Sequence, residues 1–487
     1  MIRTPVLADN SSPGHADRFH SWGIATPMTN RIVVVSNRVA PVNEGKTAAG
    51  GLAVAVLAAL RRSGGIWFGW SGEVVAAPDE TVRVIESGRL ARATVDLSER
   101  DYDEYYNRFA NATLWPLFHY RVDLVNFERA NYAGYRRVNA AFARRLSGLL
   151  QPDDLIWVHD YHLIPLAREL RRLGIRNRLG LFLHTPLPPR ELLATLPVHR
   201  ELMRFFSFFD LVGFQTETDR SHLLDYLVRE ANARVEERDG GAVVRAYRRV
   251  FRVETHPIGI DTRYVERSAA RAESSREFER LRVSLGGRRL IIGVDRLDYS
   301  KGLVQRFDAF AHFLRAYPRH LNRVSLMQVA PPSRGAIAEY SEIRRTLETL
   351  AGHVNGELAD VDWVPIRYLN KSFSRRTLFG FLRHAHVGLV TPLRDGMNLV
   401  AMEYLASQRP DDPGVLVLSR FAGAAEFLPD ALIVNPYDVD GVAKTIQLAL
   451  TMPLEERRER WQRSMHVLRS NSVEAWFERF VARLAEA

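Results

Sequence analysis

The stretch Val387–Ala406, VGLVTPLRDGMNLVAMEYLA, decides how the chain is read. An apolar run, VGLV, leads into a polar turn holding Asp395 and Gly396, and an amphipathic helix follows. In a parallel α/β sheet the carboxyl end of a strand faces a crevice. The next helix directs free backbone N–H groups and about half a positive charge into that crevice. An anion suits the place. Met397, Asn398 and Leu399 would supply the N–H groups. Glu403, four residues after Leu399, shares its helical face and can accept from hydroxyls. A phosphate beside a polyol points to a nucleotide sugar. The alternative is an ordinary strand-loop-helix connection, so the rest of the chain has to decide.

Runs of the same kind recur from Ile32 onward: IVVVSNR, LIWVHDYH, LGLFLHTP, LVGFQT, LIIGVDRL, VSLMQVAPP, GVLVLS and ALIVNP. Continuous rather than alternating apolar runs indicate strands buried on both faces, hence parallel sheets with helices between them. The class is α/β. Predicted helices cover Leu52–Arg62, Tyr132–Leu150, Leu163–Leu173, Arg190–Phe209, Thr218–Arg229 and Gln305–Ala316. The best boundary lies at HPIGID, residues 256–261. Residues 1–30 are expected to be a disordered extension, with Met28 as the authentic start. Residues 31–260 and 261–453 then form two facing Rossmann-like domains with a cleft between them. The charged amphipathic helix of residues 454–487 is expected to pack back on the first domain.

The chain has 487 residues, 46% hydrophobic and 25% charged, which describes a globular protein of two domains or more. No run of 18 apolar residues offers a membrane span. With no cysteine there is no disulfide, thiolate nucleophile or Cys-ligated zinc. A cytoplasmic location is expected, and a homo-oligomer is compatible with the sequence. The net charge of +10 is carried by 63 arginines and only four lysines, spread through helices and interleaved with acids. That pattern suits a solvated surface better than a nucleic-acid face. Lys301 stands out for being a lysine in a polar turn.

Several turns carry candidate chemistry. Gly50 and Gly51 precede a predicted helix and would let backbone approach a phosphate. They do not form GxGxxG, which disfavours a hydride-transfer enzyme. Asp160, in WVHDYH, ends a strand with His159 and His162 beside it; metal ligation ranks below contact with sugar hydroxyls, because near-neighbours on a strand diverge. His184 ends another strand, in LFLHTPLPP, where a structural histidine is the alternative. Arg296 and Lys301, in GVDRLDYSKGL, could clamp a diphosphate, or pair with Asp295 or Asp298. Arg334, in APPSRG, could reach a second phosphate. Trp67, Trp70, Tyr105, Tyr106 and Trp115 offer faces for sugar rings, though most aromatics in such a chain are core. The residues alone lead to an enzyme of phosphorylated sugars or nucleotide sugars.

VVVSNR, GGLA, WFGWSGE, DEYYNRFAN, LWPLFHY, WVHDYHL, GFQT, RLDYSKG, SRG and TPLRDGMNLVAMEY occur in this order across both halves. Together they resemble the trehalose-6-phosphate synthases, metal-independent retaining glucosyltransferases of the two-Rossmann-domain (GT-B) type. The resemblance implies transfer of glucose from UDP-glucose or GDP-glucose to glucose 6-phosphate, with no cofactor. It places the acceptor phosphate at Arg38, Tyr106 and Arg334 and acceptor hydroxyls at Asp160, with Trp70 and Trp115 lining the pocket. On the donor side it implies Gly50 and Gly51 for close backbone approach, Arg296 and Lys301 for the diphosphate and His184 for the transferred glucose. Asp395 would bind glucose hydroxyls, Gly396, Met397, Asn398 and Leu399 would line the phosphate turn, Glu403 would hold the ribose and Phe373 the nucleobase. Catalysis would fall to Arg296, Lys301, Asp160 and His184, by front-face transfer. His184-Thr185-Pro186-Leu187-Pro188 departs from a family pattern close to HIPFP and bears on acceptor selectivity. The product would stay phosphorylated and pass to a separate phosphatase. Rival readings are a relative with another acceptor, and a basic nucleic-acid-binding or noncatalytic sugar-sensing protein.

Overall fold

A computed structural model describes residues 30–39, 60, 64–333 and 338–487. The expected N-terminal extension, Met28, Gly50, Gly51, Arg334 and all but Leu60 of the predicted helix Leu52–Arg62 lie outside the described residues. The first sheet contains β1 (Ile32–Arg38), β2 (Gly65–Val75), β3 (Arg83–Ser87), β4 (Leu90–Ser98), β5 (Leu155–His159), β6 (Arg178–Phe182), β7 (Leu211–Phe214), β8 (Arg234–Arg238), β9 (Gly241–Ala246) and β10 (Arg249–Thr255). Their spatial order is β3-β4-β2-β1-β5-β6-β7-β10-β9-β8. The second sheet contains β11 (Arg289–Val294), β12 (Val324–Val329), β13 (Ile366–Leu369), β14 (Val387–Val390), β15 (Val415–Ser419) and β16 (Leu432–Val434). It is ordered β13-β12-β11-β14-β15-β16 and is parallel throughout. Both sheets belong to the unit Arg31–Ala487. Among the described residues no helix is long and apolar enough to cross a membrane.

Continuous apolar runs do form strands buried on both faces. Val34 pairs with Trp67 on one side and Trp157 on the other, and all three are buried. The parallel expectation needs amendment at the flanks of the first sheet, where β3 pairs antiparallel with β4, and β8 and β9 extend β10 antiparallel. The predicted helix Arg190–Phe209 is three pieces, Arg190–Leu193, His199–Arg204 and a 3-10 turn at Phe205–Phe208. Pro197 lies in the gap, and a proline inside a helix removes a donor and clashes with the preceding turn.

Two crossings of the chain join the halves side by side. Ile260 bridges to Ser472, and Asn471 Nδ2 donates to the Pro257 carbonyl over 3.1 Å. A Cβ on Gly259 would stand 1.7 Å from the Asn471 carbonyl oxygen, so only glycine allows the approach. The chain's last segment is two helices, Leu454–Ser470 and Val473–Glu486, broken where the Ser472 side chain caps the second. The second helix lies on β5, β6 and β7. Phe480 stacks on Trp157 with ring centroids 4.4 Å apart and planes 11° apart. Its ring occupies the room left by Gly180 and Gly213, where a Cβ would come within 2.9 and 2.6 Å of it. Arg483 closes the contact by donating to the buried carboxylate of Glu254 on β10.

Phe480 is fully buried with two strand glycines beneath it, so Phe480→Ala leaves a cavity that the sheet cannot fill. A loss of about 3–5 kcal/mol of stability is expected, measured as the shift in the thermal or urea unfolding transition against the unsubstituted chain.

Candidate active site

The carboxyl ends of the second sheet converge on a buried guanidinium. Arg306 lies in the helix Leu303–Ala316 after β11, and its side chain is buried. It donates to Asp295 Oδ2 (2.6 Å), Gln328 Oε1 (2.7 Å), Thr391 Oγ1 (3.0 Å) and the Lys301 carbonyl (3.3 Å). These partners lie beyond β11, on β12, beyond β14 and on the turn carrying Lys301. Asp298, the other acid proposed to neutralise the cations, accepts from Ser300 N and from the Tyr340 hydroxyl. Asp295 and Asp298 therefore have other work. Lys301 reaches Asp395, Nζ to Oδ2 2.6 Å, and Arg296 is exposed with no ion-pair partner among the described residues.

Asp395 sits in the turn after β14. Oδ2 also accepts from Asn398 Nδ2 (3.0 Å), and Oδ1 has no hydrogen-bond partner among the described residues. Burial pushes the carboxyl up, but the Lys301 ammonium and the two donated hydrogen bonds outweigh it and hold the pKa below the ordinary carboxylate value. Asn398 caps the helix Leu399–Ser407 from a left-handed conformation, and its Oδ1 accepts from Ala401 N. The N–H groups of Leu399 and Val400 open the first turn of that helix, while the Met397 side chain is buried in the core. A Cβ on Gly396 would stand 1.9 Å from the His184 carbonyl oxygen, so the turn presses against the first half at that point. Arg394 adds to this contact, stacked 4.4 Å from the Tyr120 ring and 3.7 Å from the buried Asp219. Glu403 accepts from Arg375 (2.7 Å), and Phe373, further round the sheet edge, packs against Phe381 beneath the Lys371 ammonium.

The first half supplies a row of aromatic and polar side chains. The Arg38 guanidinium lies 5.5 Å from the Trp70 ring, Trp70 is 5.7 Å from Tyr106, and Tyr106 stacks on His162 at 5.9 Å. Tyr161, next to His162, is 5.9 Å from Trp115, and the Arg296 guanidinium lies 5.7 Å over Trp115. Tyr106 rides on an unusual π-helix, Tyr102–Leu114; such wide turns are rare and concentrate at functional sites. Trp67 and Tyr105 do not belong to this row. Both are core residues, with Trp67 Nε1 donating to Ser36 Oγ and the Tyr105 hydroxyl to Asn37 Oδ1.

Asp160 ends β5 with φ of 74°, a costly conformation for a residue with a Cβ. Its N–H is tied to the Phe182 carbonyl, and Oδ1 accepts from His184 N (3.3 Å) and Thr185 Oγ1 (3.4 Å). Burial pushes its pKa up to about 6 against these hydrogen bonds. Gln215 Oε1 accepts from Ile258 N, so its amide nitrogen donates to His184 Nδ1 (3.3 Å), and His184 Nε2–H then donates to His159 Nδ1 (3.0 Å). Both ring nitrogens are used, Trp476 lies 6.0 Å away, and burial lowers the pKa to about 3. The imidazole is neutral, and the His184 main chain lies against Gly396. His159 and His162 turn to different neighbours, His184 and Tyr106.

The structure thus brings Arg38, Trp70, Tyr106, Trp115 and Arg296 into one row, and groups Lys301, Asp395, Asn398 and Leu399 at one turn. Sequence reasoning missed Arg306, Gln215, Arg375, Arg394 and His119. His119, four residues after Trp115 in LWPLFHY, carried a legible signal: that spacing stacks two rings on one helical turn.

The Glycosyltransferase family 20 model matches residues 26–486. The chain is 50% identical over 456 residues to a trehalose-6-phosphate synthase of Sinorhizobium fredii, covering 93% of this chain and 97% of that one. It superposes with a TM-score of 0.90 and 49% identity on an α,α-trehalose-phosphate synthase (UDP-forming) from Burkholderia xenovorans in complex with glucose 6-phosphate, covering 93% of this chain and 100% of that one. An E. coli relative bound with UDP-2-fluoro glucose gives a TM-score of 0.89 at 47% identity, covering 94% and 99%.

The raised pKa of Asp160 has a signed consequence for stability. The unfolded chain gives up this proton near the ordinary value of 3.8, the folded chain only at about 6. Stability from this group is therefore full below about pH 4 and is lost as pH rises to about 6. Asp160→Asn removes the effect, so the melting temperature of the variant minus that of the unsubstituted chain is expected to rise from pH 4 to pH 6 and to level off above it.

Proposed function

Because the chain belongs to glycosyltransferase family 20, we propose that it transfers glucose from UDP-glucose to glucose 6-phosphate with retention, giving α,α-trehalose 6-phosphate. The observation that carries the reading is the row from Arg38 to Trp115 that ends beneath Arg296, five residues before the Lys301 that pairs with Asp395. A phosphorylated hexose has a cation at one end of this row, and a nucleotide sugar has a cationic turn at the other. Arg38 and Tyr106, with Arg334 from its sequence position, take the acceptor phosphate; Trp70 and Trp115 line the ring and Asp160 accepts from its hydroxyls. Leu399 N–H, Arg296 and Lys301 take the diphosphate, with Gly50 and Gly51 approaching it. Asp395 takes a glucose hydroxyl through Oδ1, Glu403 the ribose and Phe373 the base. UDP-glucose is favoured over GDP-glucose by the UDP-forming relatives.

In the transfer, the bond from the anomeric carbon to the diphosphate oxygen breaks as the acceptor hydroxyl attacks from the same face, and its proton passes to the departing phosphate oxygen. A covalent route would need a free carboxylate nucleophile. Asp295, Asp298 and Asp395 are instead engaged by Arg306, by Ser300 and Tyr340, and by Lys301. Negative charge growing on the diphosphate meets the unpaired Arg296 first. Lys301, already partnered by Asp395, contributes its remaining N–H groups and fixes the carboxylate that reads the sugar. No cofactor or divalent ion is required for this step.

The test is to incubate the chain with UDP-glucose or GDP-glucose and glucose 6-phosphate in the presence of chelator, and to identify the product by NMR. An α,α-linked disaccharide phosphate is expected with UDP-glucose, and no product from either donor would overturn the reading. Arg296→Ala and Lys301→Ala should each lower turnover about 100- to 1000-fold. They should differ in melting temperature. Lys301→Ala leaves the mostly buried Asp395 carboxylate with Asn398 but without its ion-pair partner and should melt lower, whereas Arg296→Ala removes an exposed side chain and should melt with the unsubstituted chain.

A further inference from the structure

We propose that His119 reads a hydroxyl of the transferred hexose, as a neutral hydrogen-bond acceptor between Trp115 and the Lys301–Asp395 pair. The inference rests on the function proposed above and adds a residue to its donor site. His119 follows the short helix Trp115–Phe118, is 4% exposed, and lies with its ring centroid 4.0 Å from that of Trp115. Nδ1 is 2.8 Å from the Trp115 carbonyl oxygen. A carbonyl can only accept, so Nδ1 carries the hydrogen and Nε2 presents a lone pair.

The surroundings of the ring agree. Trp115, on which the ring stacks, also carries the Arg296 guanidinium at 5.7 Å, and Tyr120, the next residue, lies 4.4 Å from the Arg394 guanidinium, so the ring adjoins the cationic turns of the second half. Burial lowers its pKa to about 4, so it is neutral at physiological pH. Nε2 has no hydrogen-bond partner among the described residues. The Lys301 ammonium, whose charge acts on the ring, is drawn to Asp395 at 2.6 Å. A ring with Nδ1 bonded and Nε2 without a protein partner keeps capacity to accept one further hydrogen bond, which a ligand can complete. The donors that reach this place in the reaction are sugar hydroxyls. Asp395 Oδ1 and His119 Nε2 then form two acceptors on the same sugar, one charged and one neutral. A neutral second acceptor adds no negative charge beside a departing diphosphate.

The experiment uses the full chain with UDP-glucose and the UDP-3-deoxy-, 4-deoxy- and 6-deoxy-glucose donors. His119→Phe keeps a ring against Trp115 and removes the acceptor; His119→Leu is a second variant without an acceptor, and His119→Gln restores one through its amide oxygen. The variants without an acceptor should lose about 10- to 100-fold in kcat/KM for UDP-glucose, keep KM for glucose 6-phosphate within about twofold, and melt close to the unsubstituted chain. The penalty that one deoxy donor suffers with the unsubstituted chain should disappear in them, and His119→Gln should recover part of the loss. A merely structural histidine would lower the rates for every donor by the same factor; unchanged relative penalties across the deoxy series, or near-normal kcat/KM in both Phe and Leu variants, would overturn the assignment. If the unsubstituted chain itself fails to use UDP-glucose, the proposed function fails. Turnover with unchanged deoxy penalties defeats the role of His119 alone.

Discussion

A buried guanidinium keeps the second half's chemistry in register. Arg306 cannot stay charged in the interior without compensation, because an unpaired buried charge costs several kcal/mol. Its fork takes Asp295, Gln328, Thr391 and the Lys301 carbonyl together, which pins three neighbouring strand ends and the lysine turn to one planar group. The consequences spread outward. Asp295 is consumed, so it cannot neutralise Arg296. The Lys301 backbone is held while its ammonium extends to Asp395, and the loop beginning at Thr391 carries Asp395 back toward it. Gly293 makes room for this group: a Cβ there would come within 2.5 Å of the guanidinium.

The first half buries a chain of neutral groups behind its part of the site. The chain of donors from Ile258 through Gln215 and His184 to His159 uses hydrogen bonds where charges would be costly to bury, and the last helix of the chain closes over it with Trp476 and Phe480. The site therefore depends on a segment almost three hundred residues from His184 in sequence. The two halves touch where His184 lies against Gly396 and where Arg394 stacks on Tyr120 beside Asp219. These contacts set the turn of Arg394, Asp395 and Gly396 against the first half at His184 and at Tyr120, the residue after the His119 that stacks on Trp115. The second half brings Arg296 and the Lys301–Asp395 pair, and the first brings the stacking surface with Arg38 at one end of it.

Much of this was legible in the residues. Strands buried on both faces read as unbroken apolar runs, and nine such runs from IVVVSNR to ALIVNP became strands. The strands that escaped notice, such as β2 with its tryptophans and the hairpins β3–β4 and β8–β9, are aromatic, charged or half-exposed, so no such run marks them. The helix across Arg190–Phe209 failed at Pro197, a local signal set aside in favour of apolar content. Asp160, Lys301 and Asp395 were marked by their place at strand ends. The aromatics were harder, because Trp67 and Trp70 look alike in sequence, both are buried, and only the core each packs into puts one against Ser36 and the other beneath Arg38.

By itself the sequence determined the α/β class, the succession of strand-end turns and the residue types within them, because buried parallel strands and helix N-termini impose local patterns that composition cannot disguise. Tertiary structure decided which charges find each other. Asp295, Asp298 and Asp395 are equal candidates for Lys301 along the chain, and the two nearest lose to one 94 residues away because Arg306 and Tyr340 reach them first. It also decided that both ring nitrogens of His184 have partners, while His119 has one, on Nδ1, among the described residues. Hydrogen-bond capacity is finite, and which groups exhaust it depends on contacts between distant segments that no local pattern records.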